Sequence, residues 1–232
     1  MRKYKHILFD LDHTLWDFDK NSAETLKELY DKYEFEKHNK FSHDMFVDKF
    51  MEVNTQLWHK YDRNQIDRMY LRKERFKLVL TGLGVEEQYV PAEIGEVYLR
   101  ICPTKPHVVS YAFEILEYLK NKKYGMHVVT NGFEDVQDVK LISSDLKDYF
   151  DYIITSESAG HKKPNPDFFE YTLNLIGSPK NECIMIGDNP ETDIKGALSI
   201  GLDVIFFNPK SMTHNYDVTY EITALEEIKG IL

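Results

Sequence analysis

The chain opens on a short apolar run that ends in acid. Residues 5–10, KHILFD, have the pattern of a strand entering a turn, and Asp10 and Asp12 follow with one residue between them. The period then changes. Leu26, Leu29, Tyr30 and Tyr33 fall at helical spacing, with Asn21 and Glu24 as a start signal. Phe46, Phe50, Val53 and Leu57 repeat the 3.6-residue period, as do Met69, Phe76 and Leu80 with Lys73 between them. No strand pattern occurs between residues 17 and 100, so this stretch reads as an all-helical block.

Strands and helices alternate beyond it. Ala112, Ile115, Leu116 and Leu119 mark a helix, MHVVT (126–130) a strand, residues 133–145 a helix and YIIT (152–155) a strand. Asn165-Pro166 and Asn189-Pro190 each combine a capping side chain with proline in the first turn, and so open two further helices. CIMIG (183–187) and DVIFF (203–207) supply two more strands, and VTYEI and LEEIKGIL close the chain. This alternation predicts an α/β fold: a Rossmann-like parallel sheet core formed by residues 1–16 and 101–232, with the helical block 17–100 inserted after the first strand and sitting over the sheet.

Composition narrows the partners. A 42% hydrophobic and 13% aromatic content suffices for a packed core. The net charge of −10 disfavours nucleic acid polymers and anionic membranes, but an acidic protein can bind a small phosphorylated molecule through a metal ion. Cys102 and Cys183 form no CxxC spacing or disulfide framework, and Cys183 reads as a small buried hydrophobe. No leader pattern and no run of 18 apolar residues is present, so a reduced, cytoplasmic monomer or dimer is expected.

In open parallel sheets, ligands bind beyond the carboxyl ends of the strands. The predicted strands end in Asp10 and Asp12, in Thr130 and Asn131, in a loop carrying Lys162 and Lys163, and in Asp188 with Asp193 one helical turn on. Two aspartates at i and i+2 on extended chain point the same way, and Asp188 brought beside them makes a cluster of like charge. Mg²⁺ suits such oxygen ligands and accepts a phosphate oxygen as well. Lys163 adds positive charge for Asp10 and a phosphate, and Thr130 with the Asn131 amide can hold phosphoryl oxygens. Asp10 would attack phosphorus to form an acyl-phosphate, while Asp12 would protonate the leaving oxygen and then activate water.

These stretches resemble the haloacid dehalogenase-like (HAD) hydrolase superfamily, in order and over the whole chain. FDLDHTL is similar to its DxDxT motif, VVTNG to its second motif ending in Thr130, GHKKPNPDFF to its lysine motif with Lys163, and IGDNPETD to its acidic fourth motif. The resemblance implies a C1-type cap for the helical block, Asp10 as nucleophile and Asp12 as general acid/base. It also implies Mg²⁺ bound by Asp10, by the backbone carbonyl of Asp12 and by Asp188, with Asp193 on metal-bound water or orienting Lys163. His13 departs from the pattern, since many members have Gly there. DHTLWDF with the cap is similar to the pyrimidine 5′-nucleotidase branch, which implies a nucleoside monophosphate as substrate.

Plainer readings stand beside several of these. Lys162 reads as solvated. His13 either faces substrate or packs as a spacer; Trp16 and Phe18 either stack on a base or pack at a hinge. Arg68, Arg72 and Arg75 share one helical face, with Arg72 a possible substrate contact, although a solvated basic face paired with Asp67 and Glu74 is more common. Met and aromatic residues of the helical block read as core. Against a phosphomonoesterase stand a sugar-phosphate phosphatase or phosphomutase using the same aspartyl phosphate, and a dehalogenase or phosphonate hydrolase, both disfavoured by Asp12. A noncatalytic protein would usually have lost a charged member of the set. No P-loop signature is present.

Overall fold

A computed structural model describes residues 3–38 and 40–232, with His38 by its backbone alone. Strand β1 (His6–Phe9) is followed by α1 (Phe18–Lys32), α2 (Phe35–His38), α3 (His43–Asp62), α4 (Arg68–Gly82) and α5 (Ile94–Ile101), with no strand among the described residues of this stretch. Alternation follows: α6 (Ala112–Asn121), β2 (Gly125–Thr130), α7 (Glu134–Ser143), β3 (Tyr152–Thr155), α8 (Ser156–Ala159), α9 (Pro166–Ile176), β4 (Cys183–Gly187), α10 (Lys195–Ser199), β5 (Asp203–Phe207) and β6 (Tyr220–Ile222).

The six strands form one parallel sheet in the order β3-β2-β1-β4-β5-β6. Strands covered on both faces need apolar residues at nearly every position, and β1, β2, β4 and β5 are buried almost throughout, whereas the edge strands β3 and β6 begin exposed. On one face Leu8, Val129, Met185, Val204 and Phe206 pack with Phe168 and Phe169 of α9 and Ala197 of α10. The chain runs outward from β1 through β2 to β3, then returns to place β4 on β1's other side. The crevice beyond the ends of β1 and β4 is therefore the topological switch point.

By contacts the chain divides into two compact units, one of residues up to Phe18 with Pro106–Leu232, the other of Asp19–Lys105. Residues 101–105, read from sequence as part of the sheet core, belong to the helical unit. The Cys102 thiol donates to the Tyr98 hydroxyl (3.3 Å), and Lys105 pairs with Glu24 and Glu28.

Within the helical unit, Ser42 caps α3 by accepting the Met45 amide and Asp67 caps α4 by accepting the Tyr70 amide. Three sequence expectations need correction there. Helix α1 starts at Phe18, a turn before the Asn21–Glu24 signal, and Asn21 is a buried residue of the helix. Met69 is exposed on α4 rather than core. Arg75 is not on a solvated face: it is 3% exposed, its guanidinium lies 4.8–5.9 Å from the rings of Tyr98, Phe50 and Phe76, and Nη1 donates to Asn54 (3.0 Å). The ring faces attract the buried charge where no carboxylate of the described residues does. Asp67 is occupied as a cap, and Glu74 pairs with Lys77.

Both cysteines are free and buried. Among the described residues no helix is long and apolar enough to cross a membrane.

Close packing behind the sheet fixes the loop that carries Lys163. A Cβ on Gly196 of α10 would lie 2.5 Å from the Phe169 ring and 2.9 Å from Pro164 Cα. Gly196→Ala should cost ~1–3 kcal/mol through overpacking, read as a lower midpoint in urea unfolding; an unchanged midpoint would contradict this packing.

Candidate active site

Strand β1 delivers Asp10 while still in the ladder: the Asp10 amide donates to the Ile186 carbonyl of β4 (2.9 Å). The chain then turns, with the Leu15 and Trp16 amides both donating to the Leu11 carbonyl. At His13 the backbone is left-handed, with φ 64°. That conformation favours glycine and is tolerated by histidine better than by most residues, which accounts for the His at this position. The His13 side chain is exposed and its ring lies 4.9 Å from that of Phe18.

Lys163 sits at the centre. It is 1% exposed, and its ammonium donates to Asp10 Oδ1 (2.6 Å), Asp193 Oδ1 (2.7 Å) and the Val129 carbonyl (2.8 Å). These bonds use all three of its protons. The Asn131 side chain clamps the Lys163 backbone from both sides: Oδ1 accepts the Lys163 amide and Nδ2 donates to the Lys163 carbonyl, both at 2.8 Å. Thr130 ends β2, and its hydroxyl oxygen accepts the Gly132 amide (3.0 Å).

From β4 come the remaining acids. The carboxylate of Asp188 accepts the Thr14 hydroxyl (3.2 Å). Asn189 caps the next turn by accepting the Glu191 and Thr192 amides, and that single π-helical turn, Pro190–Ile194, carries Asp193. Asp193 Oδ2 accepts the Asn189 amide (3.1 Å), which leaves Oδ1 for Lys163. Gly187 makes the approach possible, because a Cβ there would lie 2.3 Å from Asp193 Oδ2.

One carboxylate oxygen from each of Asp10, Asp188 and Asp193 lies within 4.8 Å of the others. Three carboxylates and one ammonium give −3 + 1, a net charge of −2 when all are ionised. The strain shows in the titration. Burial pushes the Asp10 carboxyl up to about 7, with Lys163 opposing and Asp193 and Asp12 adding to the shift. Burial, then the charges of Asp10 and Asp193, push Asp188 well above the carboxylate range. Burial alone would lower the Lys163 ammonium, but Asp10 and Asp193 outweigh it and hold it above the usual lysine range.

The expected cluster of Asp10, Asp12 and Asp188 side chains is thus corrected. Asp193 takes the third place, and the Asp12 side chain goes to Lys140 instead. The Lys140 ammonium donates to both Asp12 oxygens, at 2.6 and 2.8 Å, and lies 4.5 Å from the centre of the Trp16 indole. Sequence reading missed Lys140. Its signal was weak but present: Gln137, Lys140 and Leu141 form the buried stripe of α7, flanked by buried Phe133 and Ser144 at its caps, so a lysine occupies a core-facing position of the period. Trp16 is fully buried and Lys140 covers one face of its ring, so it offers no open stacking surface on that side. Arg72 lies half-buried on α4, and Lys162 is likewise half-buried.

Comparison with known proteins places this geometry. A family model described as hydrolase, haloacid dehalogenase-like hydrolase, matches residues 4–201. The chain is 32% identical to the pyrimidine 5′-nucleotidase YjjG of Escherichia coli, over 99% of this chain and 98% of that protein. It is 28% identical to the pyrimidine 5′-nucleotidase PynA of Streptococcus pneumoniae, over 99% and 95%. The crystal structure of the HAD-hydrolase YfnB of Bacillus subtilis bound to magnesium superposes with a TM-score of 0.87 at 28% identity, covering 99% of both chains. With acids and lysine meeting at the strand ends and the family pattern running through most of its length, the chain belongs to the haloacid dehalogenase-like hydrolases.

Proposed function

We propose that the protein is a Mg²⁺-dependent phosphomonoesterase that forms an aspartyl phosphate on Asp10 and acts on pyrimidine nucleoside monophosphates. One observation carries this reading: Asp10 is held by Lys163 through Oδ1, while none of the described residues donates to Oδ2. That leaves Oδ2 as the attacking oxygen, on a carboxyl group clustered with that of Asp188.

The donor set fits Mg²⁺. It is built of carboxylate oxygens, it would carry a net charge of −2 if all were ionised, and its carboxyls resist ionisation without a counter-charge. The ion's ligands would be Asp10, Asp188 and the backbone carbonyl of Asp12. Asp193 is left on Lys163, since its two oxygens are engaged by Lys163 and the Asn189 amide. When bound, Mg²⁺ supplies the positive charge that lets a phosphate dianion approach buried carboxylates.

The chain's own groups do the rest. Lys163, with its protons used inside the protein, fixes Asp10 and contributes its field rather than a hydrogen bond to substrate. Asp10 Oδ2 attacks phosphorus as the ester oxygen leaves with a proton from Asp12. Asp12, now ionised, takes a proton from water, which attacks the aspartyl phosphate and releases inorganic phosphate. Thr130 and the Asn131 amide hold phosphoryl oxygens at the end of β2. His13, next to Asp12, is a candidate contact to the leaving group. The pyrimidine preference draws on the likeness to YjjG and PynA over nearly the whole chain. Two free buried cysteines agree with a reducing, cytoplasmic setting.

Linkage gives a first expected outcome. In the metal-free protein Asp10 titrates at about 7 when folded, against about 3.9 for an unfolded Asp. The folded state then binds more protons between those values, so stability falls as pH rises through that window. Mg²⁺ should therefore raise Tm more at pH 8 than at pH 5, and equal shifts would count against the charge argument. Second, hydrolysis of p-nitrophenyl phosphate should stop in excess EDTA. Asp10→Asn should fold normally yet lose activity by more than ~10⁴-fold, beyond the ~10²–10⁴ range expected for Asp12→Asn; retained turnover would remove Asp10 as nucleophile. Third, in a panel of phosphate esters UMP, dUMP and dTMP should exceed sugar phosphates in kcat/KM, and the reverse order would overturn the substrate assignment.

A further inference from the structure

Lys140 is a buried charge at a position where leucine would satisfy the helix. It is 5% exposed, on the core-facing stripe of α7. Burying an ammonium costs free energy unless it is paired and hydrogen-bonded. Here the pairing is to both oxygens of a single carboxylate, that of Asp12, at 2.6 and 2.8 Å. The other side of the ammonium faces the indole of Trp16 at 4.5 Å. Asp12 and Trp16 are the two ends of one turn, bridged to each other through the backbone. Lys140 therefore lies between a carboxylate and an aromatic face whose separation the turn fixes, and its own backbone is held by the Ser144 hydroxyl, which donates to the Lys140 carbonyl (2.6 Å).

Exposure within the pair is unequal: the Asp12 side chain is 25% exposed and that of Lys140 7%. The accessible partner is the one with proton-transfer chemistry to perform, and the inaccessible one is scaffolding. With Asp12 ionised the pair is neutral, and in that state it adds nothing to the net charge around Asp10. An ion pair serving only to fasten α7 would not need to end on the carboxylate next to the nucleophile. We propose that Lys140 is the positioning residue of Asp12: it fixes the carboxylate's orientation, retaining one oxygen while the other turns to the leaving group. This rests on Asp12 being the acid/base.

The test separates protonation of the leaving group from everything else. First-turnover rates of leaving-group release are measured by rapid quench with two esters, UMP and p-nitrophenyl phosphate. Uridine leaves as an alkoxide that needs a proton, whereas p-nitrophenolate leaves without one. Lys140→Met, which keeps the stem, should slow UMP cleavage by about 10–10²-fold, a fraction of the full general-acid contribution. It should slow p-nitrophenyl phosphate several-fold less and leave half-saturating concentrations within about twofold, as expected for an interaction that matters only in the transition state. Lys140→Arg should restore part of the UMP rate, and it keeps the test decisive if the methionine variant does not fold. Asp12→Asn run in parallel should show the same discrimination between esters. If it does and the Lys140 variants slow both esters equally, the positioning role is overturned while Asp12 keeps its role. If Asp12→Asn fails to discriminate, the acid/base reading falls and the positioning role with it.

Discussion

A single ammonium joins the ends of several strands. Lys163 donates to Asp10 at the end of β1, to Val129 in β2 and to Asp193 beyond β4. Its surroundings are shaped around those three bonds. Asn131 fixes its backbone, Gly187 gives Asp193 room to reach it, and Gly196 lets α10 close on the neighbouring Pro164. Removing Lys163 would leave its carboxylates buried without a partner, a loss of about 3–5 kcal/mol for a broken buried pair. Even with it, three ionised carboxylates leave two negative charges over, which the proposed divalent cation would balance.

Two aspartate–lysine pairs stand side by side in this site and differ in kind. Asp12–Lys140, neutral when Asp12 is ionised, is partly open to solvent; Asp10–Lys163 is buried among further carboxyl groups. The first arrangement suits a group that must turn and exchange protons. The second holds the proposed nucleophile aimed, and the proposed cation would supply the counter-charge that keeps it ionised.

Most of the sheet was legible because its signals are local. Buried parallel strands read as apolar runs, and Asn165-Pro166 opens α9 as the sequence suggests. The charged residues at the strand ends were equally legible, since position in a parallel sheet says where ligands bind. Residues whose role depends on a distant partner were not. Nothing near Arg75 in sequence announces Phe50 and Tyr98, and nothing near Lys140 announces Asp12, 128 residues away. The Asp12 side chain escaped the i, i+2 argument because its partner, Lys140, comes from a distant helix. Residues 101–105 were assigned to the wrong unit because the contacts that hold them to the helices are side-chain contacts with no periodic pattern.

The charge balance can be measured without any turnover. Mg²⁺ is titrated calorimetrically into the metal-free protein at pH 7, in two buffers of different ionisation enthalpy, alongside Asp188→Asn. Carboxyls that hold protons in the absence of a counter-charge must release them on binding. One saturable site with proton release in the wild type, and loss of that site in Asp188→Asn, is the predicted result. Absence of saturable binding, or binding that neither releases protons nor depends on Asp188, would contradict the account.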